Sequence, residues 1–390
     1  MDVQRFQKSP AGNLVAISGR DAWGRDYSHF AYLPNPLPDE IPLSGRTWNA
    51  IAEASVALGR LDGEGRRLPN PQRLARPAIR AEAVSTSALE GTYTTLPRVM
   101  ESELMEDDAP SEDREVLDYV RCAEAGFRLV ASGKPVSLNM IKQLHGILMS
   151  RDPRCPPGEK GEIRSRQNFI GSRANEEITQ ARYVPPPPGR GLREALQDWE
   201  VWVHRRGEVP LLVRVAVGHY QFEALHPFVD GNGRIGRLVA ILLLLDEGAL
   251  SVPLLNISPY LEVRRDAYQD HLLEVSATGS FDTWVRFFAE GIRVQALAGL
   301  EKTTRLLALK GHMVRTLRAR NVRGLAIQVA EDLIGNPVLT PAVVRDAYEI
   351  SHQSASSILQ TLHDAGLVEP RPWKKNRRYY VAPAVLEVHT

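Results

Sequence analysis

The stretch HPFVDGNGRIGR, His226 to Arg237, runs without a break into LVAILLLL, Leu238 to Leu245. The second half reads as an apolar helix and the first half as its mouth. That juncture constrains the fold more than any other part of the chain. A helix start exposes unpaired backbone N–H groups at the positive end of the dipole. Gly231 and Gly233 let this backbone come close to a ligand, which makes the juncture an anion nest feeding a helix. Arg234 and Arg237 lie three apart on the first turn, so both guanidinium groups can reach toward one site, and arginine meets phosphate oxygens in a bidentate way. Asp230 at the loop edge is a hard oxygen ligand suited to Mg2+ alongside phosphates. Asn232 is a donor for a phosphate oxygen, and His226 is a base with an unperturbed pKa near ~6.5. These parts describe Mg2+-assisted transfer from a nucleotide to an alcohol. They do not form a Walker A loop, because no Gly-Lys-Ser/Thr follows.

Composition limits the setting. The 390 residues are 43% hydrophobic and 24% charged, with a net charge of +1, so any nucleic-acid patch must be local. Cys122 and Cys155, the two cysteines, suggest no disulfide framework and fit a reducing compartment. The N-terminal residues MDVQRFQKSPAG lack an apolar signal core, and Leu238 to Leu245 is far too short to cross a bilayer. The expectation is a soluble, cytoplasmic protein without a membrane partner.

Residues 1 to 45 hold aromatics, Gly and Pro without a sustained helical period. Helical patterns run from Arg46 to Leu61 and from Pro77 to Leu89, and dominate to about residue 310. Ser137 is the expected N-cap of SLNMIKQLHGILM, and Leu192, Leu196, Trp199 and Val203 form a stripe on a later helix. GEIRSRQNFIGS followed by ARYVPPPPGRG reads as a short hairpin or flap leading into a stiff extended connection. Toward the end, GLAIQVAEDLI, a Thr340-Pro341 helix start and a Ser351-capped helix closed by Gly366 precede a strand, a basic loop and a strand. This arrangement resembles a winged helix-turn-helix.

The stretch from His226 resembles the signature of the Fic family, His-Pro-Phe-x-Asp/Glu-Gly-Asn-Gly-Arg-x-x-Arg, and matches it at every fixed position. HYQFEAL, YVPPPP and RSRQNFIG are similar to that family's core helix and flap. The resemblance implies a mainly α fold: a Fic-type helical core with a short β-hairpin flap, here joined to the C-terminal winged helix. It implies an enzyme, a nucleotidyltransferase that moves AMP from ATP to a Ser, Thr or Tyr hydroxyl of a target protein, or of itself, and releases pyrophosphate. By the same resemblance His226 deprotonates the hydroxyl and Asp230 holds Mg2+. Amides of Gly231 to Gly233, with Asn232, bind the α- and β-phosphates; Arg234 braces the β- and Arg237 the γ-phosphate. Phe228 anchors the loop in the core, Arg182, Tyr183 and Val184 pin the target as an added strand, and Tyr268 stacks near the adenine.

Upstream, Thr86 and Glu90 are four apart and share a helix face. A carboxylate at a helix C-terminus meets the negative end of the dipole and is better placed against a fixed positive charge. Ser/Thr-x-x-x-Glu-Gly resembles the family's N-terminal inhibitory motif, filled here by Thr86, Glu90 and Gly91. That resemblance pairs Glu90 with Arg237 and takes the arginine away from ATP. His219, Glu223 and His226 have metal-ligand spacing, but His226 precedes Pro227, where helices end, and His219 reads as a structural histidine on an apolar stripe.

The expected organisation is an N-terminal region with the inhibitory helix (1–105), a Fic catalytic core (106–300) and a winged-helix module (301–390). Arg371, Lys374, Lys375, Arg377 and Arg378, with Trp373, offer either a DNA-backbone contact or a protein-docking tip. The family layout implies a homodimer. Two other functions remain open from the residues: transfer of a different phosphate-containing group, since nothing in the nest selects adenine, and a DNA-binding regulator whose Fic core senses nucleotide.

Overall fold

The structure, a computed structural model, describes residues 1–20, 24–67, 71–104, 109–171, 177–373 and 377–389. The helices of the first part are α1 (Val3–Phe6), α2 (Gly45–Arg66), α3 (Pro71–Leu89), α4 (Leu96–Glu103), α5 (Ser111–Ala131), α6 (Leu138–Leu148) and α7 (Arg190–Val203). They are followed by α8 (Leu211–Leu225), α9 (Asn232–Asp246), α10 (Ser258–Val263), α11 (Arg265–Thr278) and α12 (Asp282–Ala319). The last part holds α13 (Leu325–Asp332), α14 (Pro341–Tyr348), α15 (His352–Asp364) and α16 (Pro383–His389). Strands β1 (Gly12–Arg20) and β2 (Asp26–Pro34) pair near the N-terminus; β3 (Val338–Leu339), β4 (Glu369–Trp373) and β5 (Arg377–Val381) form an antiparallel sheet in the order β3-β5-β4.

The expected caps are in place: Ser137, Thr340 and Ser351 each accept a backbone N–H from the first turn they open. At the centre stand α8 and α9. Every residue of α8 from Leu212 to Leu225 is buried, as are Asn232 and Arg234 to Leu244 of α9. A helix apolar on all sides is stable only when neighbours cover each face, and α3, α5, α6, α7, α11 and α12 do so. This enclosure fixes the loop between α8 and α9, His226 to Gly231, at the head of the core.

Three features go beyond the sequence reading. The first 45 residues, which lack a helical period, contain a β-hairpin in register from Gly12↔Pro34 to Arg20↔Asp26. Its period is two: Tyr27, His29 and Ala31 turn inward while Asp26, Ser28 and Phe30 are exposed. The flap itself is reduced, among the described residues, to one bridge, Ile170↔Tyr183; residues 172–176 of the flap lie outside the described ones. Finally, α12 carries the chain across residue 300 as one helix of 38 residues, about 57 Å long at 1.5 Å per residue.

Past α12, the order helix, strand, helix, helix, strand, strand ends in α16, which the sequence reading did not foresee. Val338 and Val381 of this sheet pack with Leu96 and Met100 of α4, flanked by Ala81 and Val84 of α3. Lys374 and Lys375 lie outside the described residues, as do the side chains of Trp373 and Arg377.

Candidate active site

His226 caps α8 in the left-handed region, φ 47° and ψ 61°. Pro227 prevents the helix from continuing, and the reversal turns the imidazole into a cavity of about 220 Å³ lined also by Glu90, Glu223, Gly233, Arg237 and Tyr268. His226 Nδ1 lies 3.3 Å from the Glu223 carbonyl. A carbonyl only accepts, so Nδ1 carries the hydrogen and Nε2 keeps a lone pair. Burial, aided by the nearby Arg164 charge, lowers the His226 pKa to about 4. The ring is therefore neutral at physiological pH and able to take a proton.

The loop after it is held from both ends. Asn232, buried, accepts the Phe228 N–H at 2.8 Å and donates to the Phe228 carbonyl at 2.8 Å. One N–H and the carbonyl oxygen of Asn232 thereby shape the loop, which leaves its second amide N–H for another acceptor. Phe228 is fully buried and stacks on His145 at 3.9 Å with a 4° interplanar angle. His145, which sequence reasoning passed over, accepts the Gly161 N–H at 2.9 Å on Nδ1, so its Nε2 donates to the Asp230 carbonyl at 3.1 Å. Burial lowers its pKa to about 4, keeping it neutral. Gly231 has φ 76°, a conformation that disfavours side chains.

Asp230 is half-exposed, accepts the Gly231 N–H at 2.6 Å and lies 3.7 Å from Arg234. Among the described residues no group of three His, Cys, Asp or Glu could hold a metal. A cation at Asp230 would therefore take its other ligands from phosphates and water, as Mg2+ does.

The two arginines part ways. Arg237, buried, donates Nε to Thr86 Oγ1 at 2.7 Å, and its Nη2 to Glu90 Oε1 at 2.6 Å and to the Thr86 carbonyl at 3.1 Å. Arg234, also buried, donates Nη1 to Glu115 Oε1 at 2.7 Å. It lines a second cavity of about 790 Å³ with Gly91, Glu115, Asp152 and Arg154, not the one holding His226. In this arrangement the two arginines line different cavities, Arg237 that of Glu90 and Arg234 that of Gly91, while both charges act on Glu90.

Glu90 follows the end of α3, before Gly91 at φ 93°. A Cβ at position 233 would overlap Glu90 Oε1 and approach Arg237 Nη1 to 2.8 Å, so a carboxylate lies directly over the nest. Burial works to raise the Glu90 pKa, but the Arg237 charge and hydrogen bond prevail and hold it below the usual value.

Tyr268 lines the cavity, but its hydroxyl meets His219 Nε2 at 2.8 Å. His219 is buried and held neutral by burial, its pKa lowered to about 3; this is the structural histidine expected. Glu223, which shares metal-ligand spacing with His219 and His226, has a second property. It is buried with Oε1 unpartnered among the described residues, and burial raises its pKa to about 7.

Of the expected docking residues, Arg182 donates Nη1 to Gln269 at 2.8 Å and pairs with Asp270, which ties the flap to α11. Tyr183 and Val184 are corrected. The Tyr183 N–H and carbonyl both pair with Ile170, its hydroxyl reaches the Ala224 carbonyl, and the Val184 carbonyl accepts the Tyr32 N–H of β2. They lie inside a sheet-like stack rather than on an open edge.

A helical core around a glycine-rich helix start, with a histidine on a left-handed turn and a carboxylate over that start, defines a class of fold and site. Residues 48–128 match the Fic/DOC family N-terminal description and residues 135–244 the Fic/DOC family description. The chain thus carries a Fic/DOC N-terminal region followed by a Fic/DOC domain. It is 32% identical over 157 residues to protein adenylyltransferase Fic of Drosophila virilis, covering 40% of this chain and 28% of that protein. It is 26% identical over 248 residues to that of Drosophila ananassae, covering 62% and 43%; the chain thus spans less than half the length of either relative. A Fic family protein from Desulfovibrio desulfuricans G20 superposes with a TM-score of 0.55 at 21% identity, covering 88% of this chain and 98% of that one. Fic-1 from C. elegans gives 0.50 at 19% identity, covering 67% and 74%. These two likenesses concern the fold.

Proposed function

We propose that this chain is an autoinhibited protein adenylyltransferase. The observation that carries the reading is the Glu90 carboxylate over Gly233, bonded to Arg237, in the cavity that holds a neutral His226. An acid bound where an anion belongs marks the nest as an anion site and the acid as its plug. In the reaction, a Ser, Thr or Tyr hydroxyl oxygen bonds to the α-phosphorus of ATP and its proton passes to His226 Nε2. The bond from α-phosphorus to the bridging oxygen breaks, and pyrophosphate leaves with the electron pair. The amides at the start of α9 and Arg237 stabilise the phosphates, and Arg234 lies on the side toward Asp230. Asp230 would hold Mg2+, which supplies charge neutralisation of the phosphates. Tyr268 borders the nucleoside end.

The relatives named adenylyltransferase support AMP as the transferred group, although the nest itself serves any phosphate-linked donor. We read the C-terminal elements as a winged helix-turn-helix with a DNA or protein partner, the assembly as a homodimer, and the setting as the cytoplasm. No described helix is long and apolar enough to cross a membrane. The test is incubation of the Glu90→Gly protein with labelled ATP, and in parallel with other labelled nucleotides, in a cell lysate, followed by mass spectrometry of modified hydroxyls. Label from another nucleotide alone would replace AMP with that group; no label from any would leave the nucleotide-sensing regulator.

A further inference from the structure

The guanidinium of Arg164 is 2% exposed and reaches three separate segments at once. Its Nε donates to the His226 carbonyl at 2.9 Å; Nη2 donates to the Leu225 carbonyl at 3.5 Å and to the Pro186 carbonyl; Nη1 donates to the Arg166 carbonyl at 3.4 Å. The Arg164 backbone N–H adds a bond to the Pro227 carbonyl at 2.9 Å. Each of these acceptors is a backbone carbonyl. Among the described residues no ion pair accounts for Arg164; what it does is bind backbone.

What it binds is the turn that carries the base. A non-glycine residue holds the left-handed conformation of His226 only where its surroundings over-determine it. The Phe222 carbonyl takes the His226 N–H, and Arg164 secures the carbonyls on either side of the reversal. The same side chain grips the proline run at Pro186, three residues beyond the Ile170↔Tyr183 bridge. We propose that Arg164 is a positioning residue that sets the His226 turn and the flap in one fixed relation, so that a hydroxyl presented at the flap falls within reach of Nε2. The inference rests on the transferase reading and adds a residue to it. A lysine cannot substitute, because one ammonium cannot span the fork of acceptors that a planar guanidinium covers.

Two variants, Arg164→Lys and Arg164→Gln, separate geometry from charge. The groups facing His226 are Arg164, Glu90 and Asp230, with Glu223 and Arg237 in the same cavity. In the Glu90→Gly background, both variants should lower kcat for self-modification about 100-fold, the scale of a misplacement near 1 Å, with the Kd for ATP within about twofold. Ring-carbon NMR titration, with His226→Ala to assign the signal, should show the His226 pKa rising by about 1 pH unit in Arg164→Gln and staying put in Arg164→Lys. A kcat within about threefold of the parent in both variants overturns the proposal. So does a fall in ATP binding and melting temperature that parallels the rate, which would make Arg164 a general scaffold residue. Absence of transfer by the Glu90→Gly parent is instead a failure of the transferase reading. The titration still decides the position of Arg164 in that event, an unmoved His226 in Arg164→Gln counting against it.

Discussion

Replacing Glu90 by glycine should release the site, and the structure bounds the size of the effect. The Glu90–Arg237 contact is a charge-assisted hydrogen bond of 2.6 Å between a side chain 2% exposed and one 37% exposed. Bonds of this type contribute ~1.5–3 kcal/mol, and solvent around the half-exposed carboxylate reduces that to ~1–2 kcal/mol. Removal of such a competitor strengthens productive ATP binding by about 5- to 30-fold. The variant also clears the space over Gly233, and Thr86 still holds Arg237 by two bonds, so the arginine stays in place for a phosphate. Adding Arg237→Ala should cancel the gain, because the γ-phosphate then has no partner. The assay is the initial rate of self-modification with labelled ATP, below saturation, for the wild type, both single variants and the double variant. Equal rates for wild type and Glu90→Gly would refute the reasoning and return Glu90 to a structural contact. The pH dependence has a definite sign. Glu90 is held below its ordinary value of 4.5, so its contribution is present above that pH and lost only as pH falls through the lower folded value. Acidification from about pH 8 to 5 should therefore not mimic the variant.

Gly233→Ala should weaken ATP binding even in the Glu90→Gly background, because its Cβ takes space at the helix start and comes within 2.8 Å of Arg237 Nη1; ATP titration by fluorescence checks this, and unchanged binding would reopen the placement of the phosphates. His226→Ala should lower the rate by ~10²–10⁴-fold with ATP binding intact. In the unaltered protein, the acid limb of kcat/KM should fall near pH 4, where His226 gains its proton, and a limb near pH 6.5 would contradict the buried neutral ring. Asn232→Ala should destabilise the fold by ~1–3 kcal/mol, since the buried Phe228 N–H loses its acceptor, as read from the denaturation midpoint. Arg371→Ala with Arg378→Ala should leave self-modification within about twofold; if the module binds duplex, the log–log salt slope should flatten by ~0.9 per lost contact.

What the sequence alone determined was whatever depends on neighbours within one element. The glycine-rich start of α9 and the end of α8 ahead of Pro227 are read from adjacent residues, and the common face of Thr86 and Glu90 from helical spacing; the left-handed φ of His226 is not. Family resemblance then supplied the pairing of Glu90 with Arg237 across 147 positions, which no local pattern could have assigned. The N-terminal hairpin was legible in principle, since Tyr27, His29 and Ala31 alternate with exposed residues, but only to a reading that sought period two. The rest was decided by tertiary contact. Arg234 turns to Glu115 because α5 brings a carboxylate to that side of α9, and spacing on one helix says nothing about what another helix offers. Asn232 binds Phe228 because loop closure places both Phe228 backbone groups beside its amide. Tyr183 and Val184 lose their free edge because β2 and Ile170 pack against them. His145 and Arg164 hydrogen-bond the site through backbone groups of distant segments, and a backbone carbonyl carries no residue-type signal in a sequence.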